Sequence, residues 1–314
     1  MPRFFRHLAL ACLVYMTLVL EVAAAPRIWV ALAEEGGPYA EAATTLKEEL
    51  GTDSEPYVVH WRALLTARFE PPDLIVAVGV AALDGVLERL GKGGESWGHV
   101  PLLAMLVPQA VFDARLAANP AGRRPFSAAL IDQPLGRQLA LVKRALPQYQ
   151  RVGVLSGPQT RLVFDALEKE ALPRGLTLRK TPLVNATEGI YPALKQVIDE
   201  SEVILALPDP SIYNSASLQN ILLTTYRARI PLVAFSPAYV KAGAVMAVYS
   251  TPAQVARRAA EMVRQWQAGR GLPLPQKPRE FEVAVNERVA ASLGLWIDAP
   301  NLIVDDLRRQ EGGR

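Results

Sequence analysis

Apolar residues run unbroken from 28 to 33, and the period then changes. Between 39 and 50, Ala42, Ala43, Leu46 and Leu50 recur at helical spacing until Gly51 stops them. The same alternation repeats along the chain. Strands are expected at 57–61, 74–78 and 102–107, with a helix at 81–90 after Gly79. The 74–78 run is wholly apolar, as in strands buried on both faces of a parallel sheet. Residues 119–126, with two prolines and two arginines, read as an exposed loop.

The rhythm then restarts. Helices are expected at 135–146, 160–172, 190–200 and 217–228, and strands at 151–155, 177–183, 203–207 and 232–235. Past Gly243 it changes again, to a strand at 244–249, a long helix at 252–268 and a proline-rich connector at 271–278. A strand at 281–285 and a helix at 287–292 follow, with Asn286 placed to cap that helix and Gly294 to stop it. Strands alternating with helices predict an α/β fold of two doubly wound parallel-sheet lobes.

Residues 1–24 read as a secretory signal peptide. Arg3 and Arg6 form the basic start, 8–20 the apolar stretch, and 22–25 supply small residues for cleavage. Pro26 favours the cut after Ala24 over Ala25. An uncleaved anchor and lipidation of Cys12 are the alternatives. The mature chain is then an exported, periplasmic protein without cysteine. The 314 residues carry 34 Lys and Arg against 31 Asp and Glu, a formal charge of +3, and no basic block stands out. A nucleic-acid partner is therefore not expected, and half of the residues being hydrophobic excludes a disordered chain.

No catalytic pattern is found. A phosphate-binding G-x-x-x-x-G-K-[ST], a G-x-G-x-x-G after a strand, a G-x-S-x-G and an H-E-x-x-H are all missing. Past the leader only His60 and His99 remain, and both read as structural or solvated. The expectation is a protein that is not an enzyme, with no cofactor and no metal.

In open α/β sheets ligands bind beyond the carboxyl ends of the strands. Those ends hold Glu34 and Tyr39, then Gly79 and Val80, then Gln109, with Asp132 and Gln133 at the first crossing. From the second lobe come Ser156, then Asp209, Tyr213 and Asn214, then Ser236. Each also has a plain structural reading: Asp209 as a turn residue, Asn214 as a helix cap, Tyr39 and Tyr213 as packing residues. Glu34 beside Glu35 favours an amine or hydroxyls there over a strong anion.

An ordered set of residues adds to this. Ala206-Leu207-Pro208-Asp209-Pro210, Tyr213-Asn214, Ala228-Arg229-Ile230-Pro231-Leu232-Val233 and Val240-Lys241-Ala242-Gly243-Ala244 lead to Val285-Asn286-Glu287-Arg288-Val289-Ala290 and Leu293-Gly294-Leu295. This set, with Ile75-Val76-Ala77-Val78-Gly79 and Arg151-Val152-Gly153-Val154-Leu155, resembles the ABC-transporter substrate-binding proteins that include tryptophan- and other amino-acid-binding members. The resemblance implies the type I periplasmic binding protein fold, with the chain crossing between the lobes three times, near Leu130, Ala244 and Phe281, through a multi-strand hinge; residues 25–130 plus 250–275 are then expected in lobe 1, and 131–249 plus 276–314 in lobe 2. It implies a monomer that captures a small organic, amino acid-like or other small polar, solute between two lobes and delivers it to an ABC permease in the inner membrane. It also implies that Asp209→Ala or Tyr213→Ala weakens binding without unfolding the protein. The chain departs from the family at Val107-Pro108-Gln109, at 128–133 and in the first loop. These departures leave a second reading open: a periplasmic interaction or regulatory module on the same fold, with a protein partner and a degraded pocket.

Overall fold

The computed structural model describes residues 25–51, 54, 56–66, 70–92, 97–118, 124–183 and 189–312. The expected leader and most of the expected 119–126 loop lie outside them. Two sheets organise the chain. The first has the order β2-β1-β3-β4-β5 and is parallel throughout. Its strands are β1 (Ile28–Leu32), β2 (Tyr57–His60), β3 (Leu74–Val78), β4 (Leu102–Val107) and β5 (Phe126–Leu130). Every residue of β1 and β3 is buried, as continuous apolar runs require when helices cover both faces.

The second sheet has the order β11-β10-β9-β8-β6-β7. Its strands are β6 (Arg151–Ser156), β7 (Thr177–Leu183), β8 (Val203–Leu205), β9 (Leu232–Ala234), β10 (Met246–Tyr249) and β11 (Glu282–Val285). Only β11 runs antiparallel, against β10. Side chains alternate between its faces: Val152 and Val154 of β6 enter one core layer and Leu155 the opposite one.

Helices cover both sheets. On the first lie α1 (Gly37–Leu50), α2 (Trp61–Thr66), α3 (Val80–Lys92) and α4 (Gln109–Ala118). On the second lie α5 (Leu135–Ala145), α6 (Pro158–Ala171), α7 (Tyr191–Glu200), α8 (Leu218–Arg227) and α9 (Pro237–Ala242). Then α10 (Pro252–Gln265) returns to the first sheet. Its Ala256, Ala259 and Ala260 share a core layer with Ala42 and Ala43 of α1, small residues that let the two helices approach closely. The chain ends on the second sheet with α11 (Glu287–Ser292) and α12 (Pro300–Gly312), whose Ile303 and Leu307 are buried there.

Three segments join the two bodies. Residues 131–134 link β5 to α5, and Ser250 and Thr251 link β10 to α10. Residues 277–281 link a short stretch beside β5 to β11; there Leu130 N–H donates to the Gln276 carbonyl at 2.9 Å. The second crossing is therefore at Ser250, not near Ala244. Ala244 is buried ahead of β10, with its N–H on the Tyr239 carbonyl, because β10 completes the second sheet before the chain leaves it. A capping box then starts α10: Thr251 Oγ accepts the Gln254 N–H, and Gln254 accepts the Thr251 N–H.

Five elements lie where no helix or strand is expected: β5, α2, α4, α9 and α12. Phe126, expected at the end of a loop, instead opens β5. The long helix at 252–268 keeps regular geometry to Gln265 and then widens through Arg270, with Gly269 at φ 75°.

Candidate functional site

A cavity of about 230 Å³ lies at the carboxyl ends of β4, β5, β6 and β8, beside the first and third crossings. The first-lobe wall is the start of α4, with Gln109 and Asp113 one helical turn apart. The crossings supply Asp132, Gln133 and Lys277. The second lobe supplies Gln138 of α5, Gln159 and Thr160 at the start of α6, and Leu207 and Pro208 beyond β8. The volume is below the roughly 300–1,000 Å³ of drug-sized sites and suits a small solute.

Asp132 is the charge best defined in this cavity. Its Oδ2 accepts the backbone N–H of Gln109 at 2.6 Å, which sets the carboxylate on the first residue of α4. Burial pushes its pKa above the ordinary carboxylate range, and Asp113 adds to that. The Gln109 N–H and Lys277 pull in the opposite direction. Gln138 is buried and donates through Nε2 to the Gln133 carbonyl at 3.1 Å, while its Oε1 has no hydrogen-bond partner.

Behind the cavity the crossings are tied together by Arg137, whose side chain is 3% exposed. Its Nε and Nη2 donate to Glu311 at 2.7 Å each. Nη1 donates to Gln133 Oε1 and to the Pro278 carbonyl, and Nη2 also to the Arg279 carbonyl. All five N–H groups of the guanidinium are thereby used. Gln133 continues the network by donating to Ser250 Oγ at 2.9 Å, so one buried cation reaches the first and third crossings directly and the second through Gln133. The Phe281 ring lies 4.0 Å from the guanidinium carbon.

Of the residues singled out in the sequence, Gln109, Asp132 and Gln133 line this cavity. The others lie elsewhere. Asp209 is buried, and its Oδ2 accepts the N–H groups of Gln159 and Thr160 at 3.0 Å each and the Thr160 hydroxyl at 3.2 Å. Its Oδ1 accepts the N–H and hydroxyl of Ser211. Five donors thus occupy a carboxylate that caps α6 from another loop. Gly157 exists because of it: a Cβ there would lie 2.4 Å from Asp209 Oδ2.

Asn214 caps the approach to α8, accepting the N–H groups of Ala216 and Ser217 and donating to the Pro210 carbonyl. Tyr213 is buried edge-on to Phe235 and Tyr239, and its desolvated hydroxyl, without a partner, is held far above the usual phenol range. Ser236 precedes α9 without a side-chain capping bond. Ser156 is buried; its N–H donates to Thr181 Oγ, and its own hydroxyl has no partner. On the first lobe Glu34 is exposed and Val80 opens α3. The Tyr39 ring covers Gly79, which has φ 91° and no room for a Cβ: one would lie 2.6 Å from Cε1 of Tyr39.

Sequence reasoning passed over Asp113, Gln138, Gln159, Thr160 and Lys277. Gln109 and Asp113 at i and i+4 were the available signal on the first lobe, hidden because α4 was not expected. Among the described residues no group of three or more His, Cys, Asp or Glu is placed to hold a metal ion, and no helix is long and apolar enough to cross a membrane. His60 is engaged locally, accepting the Arg62 N–H at 3.3 Å.

A family model described as ABC transporter substrate binding protein matches residues 132–305. No curated protein matches the chain. Among solved structures, a ligand-free, open substrate-binding protein with adhesive properties from Clostridium difficile is 14% identical, with a TM-score of 0.66 over 87% of this chain and 96% of that one. A conserved domain protein from Vibrio cholerae is 18% identical, with a TM-score of 0.58 over 90% and 98%. A domain from Streptococcus pneumonia in complex with L-Trp is 15% identical, with a TM-score of 0.56 over 89% and 98%. At these identities the likeness is one of fold: two α/β lobes joined by a hinge.

Proposed function

The chain belongs to the ABC transporter substrate-binding protein family, and from that premise we propose that it takes up a small organic solute in the cavity between Asp132 and Thr160. Closure then follows from contacts that exist only when both lobes touch the solute. An ABC permease receives the closed form. The family is a solute-binding one, so the role is capture and not catalysis. The leader-like segment at 1–24 supports export to the periplasm, where we place the mature protein as a monomer.

The observation that carries this reading is the position of the cavity. It opens where four strands end, and its walls come from α4 of one lobe, α6 of the other and two crossing segments. Any rotation about the hinge changes its width. Gln109, Asp132, Gln159, Thr160 and Lys277 are the proposed contact residues. Asp209, Asn214 and Gly157 have the supporting task of fixing the α6 and α8 starts.

The test is thermal unfolding of the mature protein against amino acids, sugars, nucleosides, short peptides, amines and aromatic acids. A ligand of the folded state raises the melting temperature, with about 2.7 kcal/mol at a hundredfold excess over Kd. A saturable shift from one chemical class supports the receptor reading. A cooperative melt with no shift anywhere contradicts it and favours the module with a protein partner. That second reading draws on the exposed apolar Leu223 and Tyr226 of α8, beside a groove reaching Val289.

A further inference from the structure

We propose that the solute is an organic cation, a small amine with an apolar body and no carboxylate. This rests on the receptor reading and names the ligand class of the same cavity.

The first argument is charge. The ionisable groups facing the cavity are Asp132, Asp113 and Lys277. Lys277 already acts on Asp132 electrostatically. Asp113 is exposed and largely screened, but its sign draws cations to the mouth. A monocation therefore balances the site. A zwitterion brings a carboxylate whose one cationic partner here is Lys277, and it places that carboxylate beside two others of the same sign.

The second argument is hydrogen bonding. Asp132 Oδ2 is held by the Gln109 N–H, and the carboxylate also takes a hydrogen bond from its own backbone N–H, which leaves it short of the donors that a buried carboxylate can accept. Gln138, 3% exposed, presents an Oε1 without a donor in the same wall. Its orientation is fixed, because Nε2 must donate to the Gln133 carbonyl. Gln138 Oε1 stands unmet and the Asp132 carboxylate can accept more, and an ammonium brings donors to both without adding an acceptor that needs a partner. A buried acceptor left empty is costly, so this arrangement selects for a donor-rich guest.

The third argument is the remaining surface. Leu135, Leu162, Val163 and Leu207 line the second-lobe side. They suit a hydrocarbon body and offer nothing to the hydroxyls of a sugar.

The experiment is isothermal titration of the mature protein with matched compounds: 3-methylbutylamine, L-leucine and 4-methylpentanoate, then tryptamine, L-tryptophan and indole-3-propionate, with glucose and ribose alongside. The expected result is binding by an amine at least about tenfold tighter than by its parent amino acid, and none by the acid. Asp132→Asn keeps the oxygen that accepts the Gln109 N–H, so the protein folds, and amine affinity falls about tenfold or more. Gln138→Leu is the second variant and lowers it several-fold. Tighter binding by an amino acid, an acid or a sugar overturns the amine assignment and leaves the receptor reading standing. Unchanged amine affinity in both variants overturns the assigned contacts. No binding by any compound of the set, joined to a flat melting panel, overturns the receptor reading and this inference together.

Discussion

Arg137 and Glu311 are 174 positions apart and meet in a two-armed ion pair, both arms 2.7 Å long. The pair joins the start of α5 to the last turn of α12, directly behind the crossings. Arg137 also holds Gln133 and two carbonyls of the third crossing, so α12 is bound into the hinge.

Removing one partner of this pair should destabilise the fold. Arg137→Ala leaves Glu311, Gln133 and two carbonyls without a donor, and a loss of about 3–5 kcal/mol is expected. Glu311→Gln should cost less, about 1–2 kcal/mol, since the Glu311 side chain is 37% exposed. Urea unfolding of the two variants measures both. Equal, negligible losses would contradict the role assigned to the pair.

Asp209 is expected to be a stability residue first. Its carboxylate takes five donors, two of them N–H groups of α6 some 50 positions earlier. Asp209→Ala should cost about 2–4 kcal/mol. Gly157→Ala should act in the same direction, because its Cβ meets that carboxylate. Asp209→Ala with wild-type stability and weakened ligand binding would restore the direct-contact role that the family resemblance suggested.

Acid should weaken the fold through particular carboxylates. Glu202 accepts the N–H groups of Arg151 and Gln150, Glu280 is paired with Arg257 and Asp306 with Arg144. Each is held below its ordinary pKa, Glu202 by those N–H groups and the other two by their arginines. Their stabilisation is complete above the unfolded-state values near pH 4 and is lost as the pH falls through the lower folded-state values. Melting temperature against pH should drop below about pH 4, and Glu202→Gln should flatten that drop.

Asp132 has the opposite sign. Burial raises its pKa, so its cost to the fold is absent below about pH 4 and grows as the pH rises through the raised value. Asp132→Asn should match the wild type in acid and melt higher at neutral pH. A binding site that strains the free protein behaves this way. A lower melting temperature at neutral pH would instead make Asp132 a structural carboxylate.

How much of this the sequence disclosed follows from how local each signal is. β3 and β4 are legible because buried parallel strands need unbroken apolar runs, and β6 because Val152, Val154 and Leu155 crowd strand formers around Gly153. The α10 start is legible because Thr251, Pro252 and Gln254 write its cap locally. The α12 helix carries a comparable local signal, with Pro300, Ile303 and Leu307 at helical spacing. What Glu311 does was not legible, since its partner is fixed only by the tertiary fold. The site shows the same division. Asp132 stands out beside a crossing, whereas Lys277 sits among prolines and reaches the cavity only because the third crossing returns beside β5. Asp209 was visible, but the donors that occupy it come from another loop.

The most direct test of the central claim is the lobe separation itself. The one cysteine of the sequence is Cys12, so in a protein prepared from Ala25 onward Ala117→Cys on α4 and Asp165→Cys on α6 accept spin labels uniquely. Both positions are exposed, on helices flanking the cleft. With a saturating amount of the compound that raises the melting temperature, pulsed electron resonance should show a shorter distance replacing the ligand-free one. It should revert when the compound is removed, and in Asp132→Asn it should need about tenfold or more of the compound. A distance distribution unchanged by a compound that binds would contradict capture by closure of the two lobes.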